Sequence, residues 1–281
     1  MKNLNSTSLI IALIAGLFWG CEKQVNSPVL PPSGTMSIYF NSLPSSKKSS
    51  SNQAEVNGIS AGDKSNLILA STITGIWNLI LTANLIIPVA SFDMTVTKAP
   101  VFLDNNTWQW GSNFNVIGTT YKSRLTGQVR STNVKWQMYI SREGFWAFDE
   151  LLWYEGTSSL DGLSGHWILN HSQQFPEPML KIDWSATGSA VGHIKYTYIR
   201  ELNDDRSENL LKNSSIEYVL TTNTLNAFCN IHQNTGVANV FNDVFIEWST
   251  TNHNGSIESN NYFHDDLWHC WDANGNNITC N

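Results

Sequence analysis

The stretch SNLILASTITGIWNLILTANLIIPVASF, residues 65 to 92, contains no Asp, Glu, Lys or Arg. Read at the helical period, it is apolar around most of its circumference, which is typical of a helix buried in a core or in a membrane. We expect the helix to begin near Asp63 or Ser65. Pro88 lacks a backbone donor and restricts Ile87, so we expect the helix to end near Pro88.

A narrow polar stripe interrupts the apolar surface of this predicted helix. Ser71, Thr74, Asn78 and Thr82 fall at steps of three and four residues along it. Buried hydroxyl and amide groups need hydrogen-bond partners. The stripe therefore makes these four residues candidates for binding a ligand between the helix and whatever covers it.

Two environments fit a charge-free helix of this length. An uncharged run of 18 or more residues is typical of a membrane span. In this chain, however, Asn66, Asn78 and Asn84 divide the run into short apolar pieces. We therefore favour a helix that packs against a β-sheet, with a transmembrane helix as the alternative.

The rest of the chain supplies the sheet. After Pro88 the apolar residues recur at every second position, first at Phe92, Met94 and Val96, where we expect a strand to begin. The same alternation marks four later runs: Trp108, Trp110, Phe114 and Val116; Val134, Trp136, Met138 and Ile140; Leu180, Ile182 and Trp184; Val244, Ile246 and Trp248. The run from Phe145 to Tyr154, apolar on both faces, indicates a central strand or one that meets the helix.

Short turn signals separate these runs, and no second long helical pattern follows. The sequence therefore predicts a mainly β (α+β) fold. We expect a curved antiparallel meander of about 10 to 12 strands, closed as a barrel or open as a half-barrel, packed on one long apolar helix.

The N-terminus has the pattern of a secretory signal peptide. Lys2 precedes an apolar run from Leu9 to Trp19, which Gly20 and Cys21 follow. Residues 17 to 21 resemble the lipobox of bacterial lipoproteins, and the resemblance implies that Cys21 is acylated and anchors the chain to a membrane. We then expect a lipid-anchored protein of the bacterial cell envelope, at the outer membrane. An ordinary signal peptide with a chance cysteine is the alternative.

Composition predicts three parts of the chain. Residues 1 to 20 are the signal peptide. Residues 21 to 63, rich in Ser, Pro, Asn and Lys, are expected to form a flexible lipid-anchored tether with a short strand near residues 35 to 40. Residues 64 to 281 form a single helix-plus-antiparallel-sheet domain.

The remaining cysteines predict one crosslink. Cys270 and Cys280 flank an Asn274-Gly275 pair, which is a strong signal for a hairpin turn. A three-residue loop there would place the two cysteines opposite each other, so we expect a disulfide. Cys229 is expected to be a buried thiol in a strand.

Several kinds of chemistry are disfavoured. The net charge of −7 and a pI near 5.4 argue against a nucleic-acid partner. The segment HDDLWHC, residues 264 to 270, has metal-ligand residue types, but on a strand His264 and His269 would lie on opposite faces and the HExxH spacing is missing. We expect no metal and no cofactor.

Glycoside hydrolysis needs two carboxylates, and strands 181 to 184 and 245 to 248 offer one each, so we expect no catalytic activity.

Two functions follow as hypotheses. The first is a non-enzymatic envelope lipoprotein that holds an apolar ligand or lipid between sheet and helix. Its layout, though no motif, is similar to that of the periplasmic carriers that sort lipoproteins. The second is a surface lipoprotein that binds or cleaves glycans with exposed tryptophans, for which the candidates are Trp108, Trp110, Trp146, Trp153, Trp167, Trp248, Trp268 and Trp271. Core packing is the favoured role for most of these rings.

Overall fold

Fourteen antiparallel strands follow one another in chain order around one curled sheet, in a computed structural model that describes residues 26–36, 43 and 63–280. The sheet does not close on itself, so the fold is a half-barrel with one long helix across it. This confirms the predicted meander and helix. The predicted signal peptide (residues 1–20), Cys21 and residues 37–40 lie outside the described residues.

The elements have the following bounds. The helices are α1 (Ser65–Val96) and the short α2 (Asn260–Phe263), and a 3₁₀ turn covers Ser33–Met36. The strands are β1 (Val101–Phe102), β2 (Thr107–Val116), β3 (Thr119–Val129), β4 (Val134–Arg142), β5 (Phe148–Ser158), β6 (Ser164–Asn170), β7 (Pro178–Thr187), β8 (Ala190–Tyr198), β9 (Ser215–Leu220), β10 (Ala227–Asn234), β11 (Phe241–Trp248), β12 (Gly255–Glu258), β13 (His269–Trp271) and β14 (Asn277–Ile278). The count exceeds the expected 10 to 12 because β1, β13 and β14 are too short to show alternation.

The concave face of the sheet forms the core. The predicted alternation is confirmed in β4, β7 and β11, where every apolar residue of the run is buried. In β2 it holds for Trp108, Trp110 and Phe114, while Val116 is only partly buried.

Tryptophan rings on the concave face lie over glycines of the adjacent strand. Trp136 is the cross-strand partner of Gly127, and a Cβ atom added to Gly127 would lie 2.4 Å from the Trp136 ring. The same pairing joins Gly156 with Trp167, Gly165 with Trp184, and Gly255 with Trp271. Because glycine has no side chain, each large ring fits flat against the neighbouring backbone, and the sheet curls tightly around its core.

Helix α1 crosses the concave face from β12–β14 to β2 and β3. It runs through Pro88 to Val96, so the predicted end near Pro88 is wrong, and Phe92, Met94 and Val96 belong to its last turns and not to a strand. Proline removes only one intrahelical bond. The packing of Phe92, whose ring lies 5.7 Å from that of Trp167, favours continuing the helix.

Buried hydroxyl groups position the second half of α1. The Ser91 hydroxyl donates to the Pro88 carbonyl oxygen at 2.7 Å and lies 3.4 Å from the Tyr154 hydroxyl. One turn later, Thr95 Oγ1 and Ser123 Oγ are 2.5 Å apart. These polar groups are satisfied within the core, which fixes the rotation of the helix on the sheet.

The first turn of α1 is bound to the C-terminal hairpin β13–β14. The Asn277 side chain accepts from the Asn66 backbone N–H at 3.2 Å and donates to Ser65 Oγ at 2.7 Å. The buried Asn66 amide in turn donates to the Cys270 carbonyl oxygen at 3.0 Å. The helix begins at Ser65, as expected, and these contacts to its first turn come from the other end of the chain.

The predicted disulfide joins Cys270 to Cys280, with their Cα atoms 5.3 Å apart. The two cysteines are not directly opposite, since Cys270 pairs with Ile278 and the turn has five residues, 272 to 276. Gly275 has a φ of 82°, as a hairpin turn requires. The crosslink therefore closes the hairpin that holds the start of α1.

The N-terminal segment also enters the core. Trp167 Nε1 donates to Thr35 Oγ1 at 3.1 Å, and the Tyr196 hydroxyl donates to the Met36 carbonyl oxygen at 3.1 Å. Thr35 and Met36 are fully buried at the end of a 3₁₀ turn, so these two positions are packed and are not in a strand; positions 37–40 of the expected strand lie outside the described residues. The segment docks because it buries the Met36 side chain and because Thr35 and Met36 accept hydrogen bonds from the buried Trp167 and Tyr196 side chains.

The outer face of α1 carries apolar side chains that no described part of the chain covers. Within the described residues, α1 is the one helix long and apolar enough to cross a bilayer. It lies along the sheet, and 33% of its most apolar 18-residue stretch is buried. Ile76 and Ile80 are exposed, and the Leu79 side chain is 72% exposed.

Alternate connections of the meander lie on the same edge of the sheet. We call one edge the upper rim; it contains the connections at residues 117–118, 143–147, 171–177, 199–214, 235–240 and 259–268. We call the other edge the lower rim; it contains the connections at 103–106, 130–133, 159–163, 188–189, 221–226, 249–254 and 272–276. The N-terminal segment reaches the lower rim, where Val29 lies against Gly162.

The most exposed apolar residues of the upper rim, Ile117, Phe145 and Trp146, lie in the connections at 117–118 and 143–147. Ile117 and Gly118 form a two-residue turn in which both φ angles are positive, 47° and 73°. Asn-Gly is the preferred pair for this turn, and a β-branched residue is strained there. Phe145 and Trp146, predicted to lie in a strand, instead belong to the loop before β5.

We predict that Gly127→Ala destabilises the fold by about 1–3 kcal/mol, because the added methyl would overlap the buried Trp136 ring. Chemical denaturation monitored by circular dichroism measures the loss. Gly111→Ala is the matched control, since its Cβ would meet no atom closer than 3.5 Å. Equal losses in the two variants would contradict the ring-over-glycine packing.

We predict that Ile117→Asn stabilises the fold by about 1 kcal/mol, because asparagine tolerates the left-handed conformation that isoleucine adopts here. Differential scanning calorimetry should show a higher Tm. Ile117→Val, which keeps the branched Cβ, should show no gain. A lower Tm for Ile117→Asn would mean that the turn is not strained.

Candidate functional site

A cavity of about 180 Å³ lies between the middle of α1 and the upper ends of β7, β8 and β10. Nine of its twelve lining residues are apolar or aromatic, and three are polar. The residues are Ile76, Trp77, Ile80, Leu81, Asn84, Met179, Leu180, Tyr196, Tyr198, Leu211, Ser214 and Gln233. Such a composition suits an apolar ligand with a few polar groups to orient it.

The helix side of the cavity follows from helical spacing. Ile76, Ile80 and Asn84 recur at intervals of four and so form one row, with Trp77 and Leu81 beside it. Leu81 is buried, whereas Ile76 and Ile80 are exposed on their outer side. The cavity wall therefore continues directly into the exposed apolar side chains of α1.

The sheet side of the cavity is formed by strand ends and one loop. Met179 and Leu180 begin β7, Tyr196 and Tyr198 end β8, and Leu211 lies in the connection at 199–214. The Tyr196 hydroxyl is bonded to Met36, and the Tyr198 hydroxyl accepts from Asn209 Nδ2 at 3.1 Å. Both hydroxyls thus have protein partners.

The predicted polar stripe does not line this cavity. Thr74 is buried, and its hydroxyl donates within the helix to the Ala70 carbonyl oxygen at 2.8 Å. Ser71 and Asn78 are partly buried, and Thr82 is exposed. The Thr74 hydroxyl therefore needs no ligand as a hydrogen-bond partner. The helix residues that line the cavity include the neighbouring row Ile76, Ile80 and Asn84.

An ion-pair network holds the loops beside the cavity mouth. The buried Arg200 guanidinium contacts Glu177 at 2.9 Å and Asp204 at 2.6 Å, while Arg206 contacts Glu177 at 3.3 Å. The hydrogen bond from Arg200 lowers the pKa of both the Glu177 and the Asp204 carboxyl groups. These contacts join the connections at 171–177 and 199–214, which position Leu211 at the mouth.

Most of the tryptophans proposed as a sugar platform are interior. Trp108, Trp110, Trp167, Trp248 and Trp271 are buried, and Trp153 is partly buried. Only Trp146 and Trp268 among the eight candidates are exposed, on loops that lie eight strands apart in sheet order. These eight residues therefore form no continuous stacking surface.

The other groups with possible chemistry lie apart from the cavity. Cys229 is fully buried in β10, as expected, and burial raises the pKa of its thiol. His269 contacts Asp265 at 3.0 Å and stacks on Phe263. Within residues 26–36, 43 and 63–280, no three His, Cys, Asp or Glu residues are grouped as a metal site would require.

We predict that the network around Arg200 stabilises the protein above the ordinary carboxyl pKa near 4 and loses this effect as the pH falls through the lowered pKa values of Glu177 and Asp204. Glu177→Gln should lower the Tm at pH 7, and the difference from the unmodified protein should narrow as the pH falls to about 3. A difference in Tm that is constant with pH would contradict this origin.

No protein-family model, curated protein or solved structure matches this chain.

Proposed function

We propose that the protein is a non-enzymatic cell-envelope lipoprotein that holds an apolar ligand between α1 and the sheet. The observation that carries the proposal is the apolar cavity at the upper rim. The ligand class is a single acyl chain, or an apolar molecule of similar width, belonging to a lipid.

The size of the cavity supports a narrow ligand. Cavities of about 150 Å³ lined by aliphatic and aromatic side chains stay dry and accept a molecule as wide as benzene. The cavity under α1 has about 180 Å³ and a similar lining. It accommodates one segment of an acyl chain, and the remainder of a longer chain would lie along the exposed row of Ile76 and Ile80.

The polar residues of the cavity support an amphipathic ligand. Apart from the two tyrosine hydroxyls, the polar side chains that line the cavity are Asn84, Ser214 and Gln233. A lipid with its chain under α1 would present its ester or headgroup oxygens to these donors, which are uncharged. We therefore expect little dependence of binding on headgroup charge.

An anchor at Cys21 and a place at the outer membrane belong to the same proposal. Their support is the lipobox-like sequence at residues 17 to 21 and the layout of helix and half-barrel, which is similar to that of periplasmic lipoprotein carriers.

We predict that the protein binds palmitate and that Leu211→Trp weakens this binding at least several-fold. Leu211 is exposed at the cavity mouth, so a larger ring there should obstruct entry without disturbing the core. Isothermal titration calorimetry with palmitate measures the affinity, and native mass spectrometry of the purified protein detects lipid that copurifies.

Leu220→Trp is the matched control. Leu220 has a similar exposure but lies at the lower end of β9, away from the cavity, so its replacement should leave palmitate affinity unchanged. Absence of both copurifying lipid and palmitate binding, or equal affinity in the Leu211→Trp variant, would rule out the cavity as a lipid site.

A further inference from the structure

Two successive connections of the upper rim carry three strongly exposed apolar side chains. We call Ile117, Phe145 and Trp146 the apolar tip. The Glu143 backbone N–H donates to the Thr120 carbonyl oxygen at 3.0 Å, and Lys122 pairs with Glu143 at 2.8 Å, so the connection at 143–147 is held to the start of β3, which directly follows the turn at Ile117. Their centres are two strand spacings apart, about 10 Å. The tip is therefore one compact feature.

The side chains of the tip are unusually exposed. Ile117 is 87% exposed, Phe145 79% and Trp146 73%, and the two aromatic rings contact each other with centroids 5.0 Å apart. None of the three contributes to the buried core. Their apolar surface thus has no role in folding that the described residues reveal.

The backbone holds two of these residues in a costly conformation. Ile117 and Trp146 have φ angles of 47° and 62°, in the left-handed region that favours glycine and asparagine. A sequence selected only for a stable turn would have asparagine at position 117. Strain kept at an exposed residue indicates that the side chain itself is used.

The charges behind the tip cancel. Residues 115–124 and 141–150 contain three basic side chains, Lys122, Arg124 and Arg142, and three acidic ones, Glu143, Asp149 and Glu150. Lys122 pairs with Glu143 and Arg124 with Glu150. The protein as a whole carries a net charge of −7. The tip is therefore a neutral part of an acidic molecule, which suits an uncharged or zwitterionic surface.

The area of the tip favours a membrane over a protein partner. Isoleucine, phenylalanine and tryptophan together offer about 500 Å². This is less than the roughly 800 Å² that each partner buries in a standard protein interface. A bilayer needs only that the side chains enter its interfacial region, where tryptophan is preferred.

We propose that the apolar tip inserts into the interfacial region of a zwitterionic phospholipid bilayer. This contact is separate from the cavity, since none of its three residues lines it. It would place the upper rim, and with it the cavity mouth, against the lipid surface.

The test uses the full chain with Cys21→Ser and Phe145→Cys, labelled at position 145 with an environment-sensitive fluorophore. Cys229 is buried and Cys270 is bonded to Cys280, so the label is confined to the tip. With phosphatidylcholine vesicles we expect a several-fold rise in emission, quenching by lipids that carry a nitroxide on the acyl chain, and no change when salt is raised.

Two further substitutions show whether the apolar side chains of the tip cause the vesicle binding. Ile117→Asn in the labelled chain should weaken vesicle binding about tenfold, because one aliphatic side chain is lost from the lipid phase. The same change relaxes the turn, so misfolding would not explain the loss. Leu103→Asn, which removes an exposed aliphatic side chain from the lower rim, should leave binding unchanged.

Three outcomes would overturn the proposal. The label could stay in water in the presence of excess vesicles. Ile117→Asn could bind vesicles as well as the parent. The emission could rise with protein concentration when no vesicles are present, which would identify the tip as a contact between copies of this chain.

Discussion

The packing of large rings over glycines on the concave face is the constraint on which the rest of the structure depends. Each ring, such as Trp136 over Gly127, fills space that a side chain would otherwise occupy on the adjacent strand. The sheet can then curl around a thick aromatic core without a second sheet. The groove that results is wide enough for one helix, and α1 occupies it.

The position of the cavity follows from the way α1 is held. Its first turn is bound to the β13–β14 hairpin, and Ser91 and Thr95 bind its second half to β5 and β3. The middle of the helix, near Ile80, crosses the opening between these attachments. Here the sheet side is formed by the ends of β7 and β8, and the space between is not filled. Attachment at both ends therefore leaves the centre as the place where a ligand fits.

Local patterns predicted the elements of this fold better than its contacts. The alternation in β4 and β7 and the pair Asn274-Gly275 are local signals, and the strands and the disulfide followed from them. The continuation of α1 through Pro88 could not be predicted, because it depends on packing of Phe92 against a strand 75 residues later. The sequence also did not show how the polar stripe would be satisfied, since Thr74 bonds its hydroxyl within the helix. The row at Ile76, Ile80 and Asn84 was visible in the sequence, but which face would meet a gap in the sheet was not.

The course of the N-terminal segment gives the molecule a direction. Val29 lies at the lower rim, and only four residues separate Cys21 from Asn26, a span of at most about 18 Å over five peptide steps. Strands of about ten residues set the two rims roughly 30 Å apart. A chain tethered through Cys21 would therefore stand with its aromatic loops facing outward, too far from its own leaflet for easy contact. Under the proposed function, such an arrangement would place the cavity mouth on the side of the molecule away from its anchor.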